Sequence, residues 1–318
     1  MTRTVPFVAP RTLPLASRLA LPATAALVAV GLLGVYRYLD NYWLYRGFSA
    51  PRDPAYVVSE GTQQTIAVRS PALGGRSQPV IVYLPPGYSA SSQRRYPVFY
   101  LLHGSPGVPL DFVETVRIGV VEDELVALHE AQPLILVMPF GSTGHFTDKE
   151  WANGVGRNQG WETFVARDLV RAVDARYRTI AKASARAIGG LSEGGYGAVN
   201  IALHHPSEFG VVESWSGYMR ADNIGAIFGH RRSLLRRNTP LVTLAAATAA
   251  LRRAHTYFWF YSGSDDKFRR QNAAFARGLE AHRIPHRFFL VGGGHNWALW
   301  RGNAVRSYLA AARRLSDA

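Results

Sequence analysis

The sequence predicts an α/β protein: a mostly parallel sheet of about eight strands with helices on both faces, preceded by one N-terminal transmembrane helix. Two observations carry this reading. Short continuous apolar runs, expected of strands buried on both faces, alternate with longer helical stretches. Ahead of them, Leu19 to Tyr36 holds no charge and lies between Arg18 and Arg37.

Eighteen residues at 1.5 Å each reach roughly 27 Å, enough to cross a bilayer core. Pro22 falls near the start of that run, where a helix tolerates proline best. Tyr36, Tyr38, Tyr42, Trp43 and Tyr45 follow it, and amphipathic rings of this kind settle at a membrane–water boundary. The favoured reading is an uncleaved anchor at 19–36, with a cytoplasmic tail at 1–18 and an interfacial collar and linker at 37–62. A cleavable signal peptide is the competing one, but the small-residue site Ala23-Thr24-Ala25 lies inside the apolar run. The arginine bias across the segment is slight, and it favours an extracytoplasmic position for the remainder, 63–318.

In that remainder, strands are predicted at 65–68, 79–84, 97–102, 134–138, 187–191, 211–215, 257–261 and 288–291. Helices are predicted at 111–129, 161–177, 196–204, 240–255, 268–282 and 303–315. Thr239-Pro240 reads as an N-cap followed by a first-turn proline. Phe268, Phe275 and Leu279 recur at near-helical spacing and predict a core-facing stripe.

With 318 residues, 47% of them hydrophobic, the chain can build one large core. It has no cysteine, so disulfides, thiolate metal sites and cysteine nucleophiles are excluded. The charge of +14 comes from 36 Lys and Arg, 33 of them arginine. A solvated arginine-rich surface explains this, with an anionic membrane or substrate as the alternative. No zinc-finger spacing, aromatic RNA-binding strand or long basic helix points to nucleic acid. The densest basic patch, Arg231, Arg232, Arg236 and Arg237, lies between Tyr218 and Thr256, the stretch expected to form a cap or pocket wall.

Gly190-Leu191-Ser192-Glu193-Gly194 has the form G-x-S-x-G and stands between a predicted strand and a predicted helix. On such a strand–turn–helix the serine hydroxyl projects above the sheet edge, and the glycines relieve crowding at the turn. This is the nucleophile elbow of the α/β-hydrolase fold. A serine nucleophile needs a base, and the base an orienting acid; on this fold they follow in the order Ser, Asp or Glu, His. After Ser192, the next strand ends offer Gly263-Ser264-Asp265-Asp266 and then Gly292-Gly293-Gly294-His295. His295 is preferred over His204, His205, His230, His255, His282 and His286 because it alone sits in a glycine-rich loop directly after a strand. Asp266 is preferred as the acid, and Asp265 remains open. For the oxyanion the backbone N–H of Glu193 is one candidate, and that of Ser105 in His103-Gly104-Ser105-Pro106-Gly107 the other. Gly104 stays possible, whereas Pro106 has no N–H. Trp151, Trp161, Trp297 and Trp300 are candidates either for the site or for the core.

Leu102-His103-Gly104, Gly190 to Ala198, and Gly294-His295-Asn296-Trp297 with Trp300 resemble the putative-esterase family of α/β-hydrolases. That family includes esterase D (S-formylglutathione hydrolase), enterochelin-esterase-like proteins, feruloyl esterases and mycolyltransferases. The resemblance covers roughly residues 63 to 312. It implies a Ser192–His295–Asp266 triad, since the family's Gly-x-x-acid spacing selects Asp266, and an oxyanion donor at Ser105. Relatives often carry Met after the nucleophile, where this chain has Glu193. The side chain is read either as a carboxylate stabilised at a helix N-terminus or as a bias toward cationic or hydroxyl-rich substrates. The expected activity is a membrane-tethered serine esterase acting on a small-molecule or lipid ester, without metal or organic cofactor. An acyltransferase is the first alternative and a non-catalytic binding module the second.

Overall fold

The computed structural model describes residues 15–144 and 147–315, so the first fourteen residues of the expected tail lie outside it. The chain divides into a unit ending at Gly47 and a unit beginning at Phe48.

Among the described residues the first unit holds one helix, α1, Leu15–Tyr45. Its stretch Ala20–Tyr45 is long and apolar enough to cross a membrane, with a mean hydropathy of 1.5 and nothing buried within the chain. The helix runs on through Tyr36, Tyr38, Tyr42 and Trp43, because the first strong breaker after the apolar run is the left-handed pair Arg46 and Gly47 (φ 54° and 82°). Pro22 is therefore interior to the helix rather than near its start, where it removes one helical N–H.

The second unit is an eight-stranded sheet, among the described residues, in the order β1-β2-β4-β3-β5-β6-β7-β8. The strands are β1 Thr62–Ser70, β2 Arg76–Leu84, β3 Val98–Leu102, β4 Ile135–Pro139, β5 Arg186–Gly190, β6 Val211–Trp215, β7 Tyr257–Gly263 and β8 His286–Val291. Each falls on one of the expected runs. The pairs β1–β2 and β2–β4 are antiparallel, so β2 alone runs against the other strands, and every other pair is parallel. Continuous apolar runs mark strands covered on both faces, and every residue of β3, β4, β5 and β6 is buried.

The helices are α2 Ile118–Ala127, α3 Trp161–Thr163, α4 Val170–Arg176, α5 Glu193–His204, α6 Gly225–Phe228, α7 Arg232–Arg237, α8 Pro240–Arg253, α9 Arg269–Ala281 and α10 Trp297–Leu315. Alternate residues of β3 feed the two cores: Tyr100 and Leu102 join the core with α5, α8 and α9, while Phe99 and Leu101 join the one with α2 and α10. The helix expected at 111–129 is broken. A π-helical turn covers Asp111–Thr115, and Arg117 (φ 60°) is left-handed before α2 begins. Thr239 does not cap α8 with its side chain; its hydroxyl donates to the Leu235 carbonyl at 2.7 Å. Pro240 does occupy the first turn.

The register aligns the strand ends. Leu102 pairs with Gly190, Trp215 with Tyr261, and Gly263 with Val291. The segments after β3, β5, β6, β7 and β8 therefore emerge along one edge of the sheet, where open parallel sheets place their sites.

Candidate active site

Ser192 stands between β5 and α5 with φ 53° and ψ −119°, a conformation that costs roughly 1–3 kcal/mol for a residue with a Cβ. The surroundings hold it there. Its N–H donates to the Trp215 carbonyl (3.1 Å), and its carbonyl accepts from Tyr196 (3.1 Å). Space is the other constraint: a Cβ on Gly194 would lie 1.8 Å from the Leu102 carbonyl oxygen, and one on Gly190 2.3 Å from the same atom. Helix α5 can begin this close to β3 only through glycine.

His295 follows β8 and Asp266 follows β7, and their side chains meet Ser192 in one hydrogen-bonded line. The Ser192 hydroxyl donates to His295 Nε2 at 2.8 Å, and His295 Nδ1–H donates to Asp266 Oδ2 at 2.7 Å. Asp265 is exposed and Asp266 is 3% exposed, so of the adjacent pair only Asp266 faces the imidazole. Asp266 Oδ1 accepts the Phe268 N–H at 2.8 Å, and Oδ2 also accepts the Ser216 hydroxyl at 2.5 Å. Burial alone would raise the pKa of this carboxyl. Hydrogen bonds from His295, Ser216 and the Phe268 amide outweigh burial and bring it below the usual carboxylate range.

Ser216 escapes the sequence reading. It is fully buried and left-handed (φ 59°) at the end of β6, and its oxygen also accepts from the Gly263 N–H at 3.3 Å. A lone serine after a strand carries no motif, and its strand-end position was the sole available signal.

Phe268 was expected to join Phe275 and Leu279 in the core. Those two are fully buried, whereas Phe268 is half-buried and stands edge-on to His295 with ring centroids 5.3 Å apart. It precedes α9 and forms a wall of the site. Trp300 also stands edge-on to the imidazole at 5.0 Å, and Trp297 packs edge-on against Trp300. Trp151 and Trp161 belong to the core. Among the rejected histidines, His204 and His205 both reach Glu162 at 2.9 Å, and His230 reaches Asn223.

The two expected oxyanion donors are brought together. Ser105 and Glu193 share the wall of a small hollow with Gly104, Gly141 and Thr147. Glu193 is the first residue of α5, where no helical carbonyl is available to its N–H. Gly104 is tight against the nucleophile, for a Cβ there would lie 3.2 Å from that of Ser192.

The Glu193 side chain is buried, and beside it the Glu150 N–H donates to Asp148 Oδ1 at 2.8 Å. Burial, then the charges of Asp148 and Glu150, pushes its pKa well above the ordinary value. Glu150 is held beside it in a left-handed conformation (φ 53°), accepts the Tyr218 hydroxyl at 2.7 Å, and is pushed up to about 9, chiefly by burial.

Chemically, the arrangement offers a serine hydroxyl, an imidazole to take its proton, and a buried carboxylate to stabilise imidazolium.

Residues 70–308 match the model of the family described as "Putative esterase". The chain is 36% identical over 138 residues to Esterase Rv1288 of Mycobacterium tuberculosis, covering 43% of this chain and 28% of that protein. It is 32% identical over 163 residues to an endo-1,4-beta-xylanase/feruloyl esterase of Xylanibacter ruminicola, covering 50% and 22%. The chain thus spans about a quarter of the length of these curated relatives. A ferulic acid esterase structure superposes with a TM-score of 0.71 at 26% identity, over 80% of this chain and 99% of that one. An S-formylglutathione hydrolase of Staphylococcus aureus has the same fold, with a TM-score of 0.66 at 20% identity over 80% and 100%.

Proposed function

The chain belongs to the "Putative esterase" family, its model spanning residues 70–308, and on that premise we propose a membrane-anchored serine esterase that hydrolyses a carboxylic ester through a Ser192 acyl-enzyme. The observation that carries the proposal is the unbroken line from Ser192 Oγ through His295 to Asp266.

The Ser192 oxygen attacks the ester carbonyl as its proton passes to His295 Nε2. Asp266 accepts from Nδ1, which fixes the tautomer that leaves Nε2 free to act as base, and it stabilises the imidazolium. The N–H groups of Ser105 and Glu193 receive the negative charge developing on the carbonyl oxygen, aided by the N-terminus of α5. His295 then returns the proton to the departing alkoxide, the C–O bond breaks, and the acyl group remains on Ser192. Water deprotonated by His295 adds to the acyl-enzyme, and the acid leaves as Ser192 recovers its proton. An acceptor alcohol in place of water would give acyl transfer by the same steps.

The apolar, unburied helix Ala20–Tyr45 supports anchoring in a membrane, and the slight arginine bias across it favours a catalytic unit outside the cytoplasm. Retention of α1 in the mature membrane fraction is the expected result; a soluble mature protein starting after the apolar run would identify a signal sequence instead.

The test of the chemistry is covalent. A fluorophosphonate probe should label the wild-type chain and leave Ser192→Ala unlabelled, with p-nitrophenyl acetate turnover lost in that variant. Equal labelling of a folded Ser192→Ala variant would overturn the proposal.

A further inference from the structure

A groove of about 520 Å³ lies at the free edge of the sheet, between the face of β7 and β8 and the last three turns of α10. That volume is in the range of small-molecule sites. Tyr257, Trp259 and Phe289 line its floor; the Trp259 and Phe289 rings meet edge to face at 5.2 Å. Arginines line the rim: Arg287 from β8, and Arg306, Arg313 and Arg314 from α10, all exposed. Two guanidinium groups sit over rings of the floor, Arg314 over Tyr257 at 4.0 Å and Arg287 over Phe289 at 5.8 Å, which limits their freedom before any ligand arrives. Among the described residues no carboxylate lies within ion-pairing distance of Arg287, Arg306 or Arg314.

We infer that this groove binds an anionic phospholipid, the arginine rim holding the headgroup phosphate and the aromatic floor covering the start of an acyl chain. Charge complementarity selects an anion, because three guanidinium groups line the groove and, among the described residues, no carboxylate lies within ion-pairing distance of them, on a chain of net charge +14. Arginine forks suit phosphate oxygens in particular. The floor then selects an amphiphile: a free inorganic anion gains nothing from three aromatic rings, and a neutral hydrocarbon gains nothing from the arginines.

The placement also separates this groove from the esterase site. Tyr257 and His286 begin β7 and β8, whereas Ser192, Asp266 and His295 all follow strand ends. The lipid bound here is a ligand, not the ester being cleaved. Phe48, the first residue of the catalytic unit, lies under the Arg301 guanidinium of α10 at 4.7 Å.

The test uses the full chain in a neutral maltoside detergent, with lipid adducts counted by native mass spectrometry. Phosphatidylglycerol, phosphatidylcholine with the same acyl chains, and inorganic phosphate are titrated in turn. One phosphatidylglycerol should be retained, and phosphatidylcholine should be retained about tenfold less, as expected for loss of the net headgroup charge. The triple variant Arg287→Gln, Arg306→Gln, Arg314→Gln should lose the phosphatidylglycerol adduct by about tenfold, with unchanged turnover of p-nitrophenyl acetate. The control removes three arginines elsewhere, Arg231→Gln, Arg232→Gln, Arg236→Gln, and should keep the adduct. Equal loss in both triple variants would reduce the effect to net charge and overturn the inference, as would retention in the groove variant. Displacement of the lipid by equimolar phosphate would show that the rim reads a free anion, and would also overturn it.

Discussion

The Ser216 hydroxyl donates to the same Asp266 oxygen that receives the His295 N–H, at 2.5 Å. Two donors on one carboxylate oxygen compete for its charge, so Ser216 makes Asp266 a weaker partner for imidazolium than it would otherwise be.

Ser216→Ala should therefore raise the apparent pKa of the histidine–aspartate pair. Removing a donor to ionised Asp266 raises the acid's own pKa and strengthens its hold on protonated His295; both shift the acidic limb of kcat/KM to higher pH. The plateau rate should fall by no more than about tenfold, since a buried carboxylate loses one of three donors. A pH–rate profile with a p-nitrophenyl ester measures this; an acidic limb that stays in place would show that Ser216 only fills space.

Asp266→Asn and Asp265→Asn separate the adjacent acids. The first should lower kcat by ~10³–10⁴, because an amide beside Nδ1 stabilises the wrong tautomer and no longer supports imidazolium. The second changes an exposed side chain and should leave kcat within about twofold. Equal losses in both variants would remove Asp266 from its assigned role.

Much of this molecule is legible in sequence where local pattern and burial coincide. β3 to β6 are read correctly because burial on both faces makes each a continuous apolar run. Ser192 and His295 are legible because a tight turn needs glycines that stand out in the chain. Periodicity cannot tell a core face from a pocket wall, which is why Phe268 looks like Phe275 yet faces His295. It also misses the break before α2, since Arg117 adopts φ 60° without any glycine or proline to announce it. Asp148, Glu150 and Glu193 meet only because the chain takes consecutive left-handed turns at Glu150 and Trp151, a feature with no sequence signal.

Gly194→Ala tests the nucleophile turn as packing rather than chemistry. The added methyl would lie 1.8 Å from the Leu102 carbonyl oxygen, and backbone on backbone has no rotamer to yield. Either β3 or the start of α5 must move, so labelling of Ser192 by a fluorophosphonate should fall by more than about tenfold, with a lowered Tm. Gly302→Ala, where a Cβ meets nothing within 4 Å, should label normally.

Glu150→Gln tests the raised pKa of the buried acid behind the site through its pH dependence. In the folded protein Glu150 is pushed up to about 9, first by burial and then by the Asp148 charge, whereas unfolded it titrates near ~4.3. Between those values the unfolded chain releases a proton that the folded chain keeps, so stability contributed at low pH is lost as pH rises toward 9. Glutamine keeps an acceptor for the Tyr218 hydroxyl and does not titrate. The variant should match the wild type near pH 4.5 and exceed it by a widening margin at pH 6, 7.5 and 9, read as Tm or as the urea midpoint. A constant difference across that window would mean that Glu150 is ionised in the fold, and that Tyr218 with the surrounding dipoles stabilises its charge.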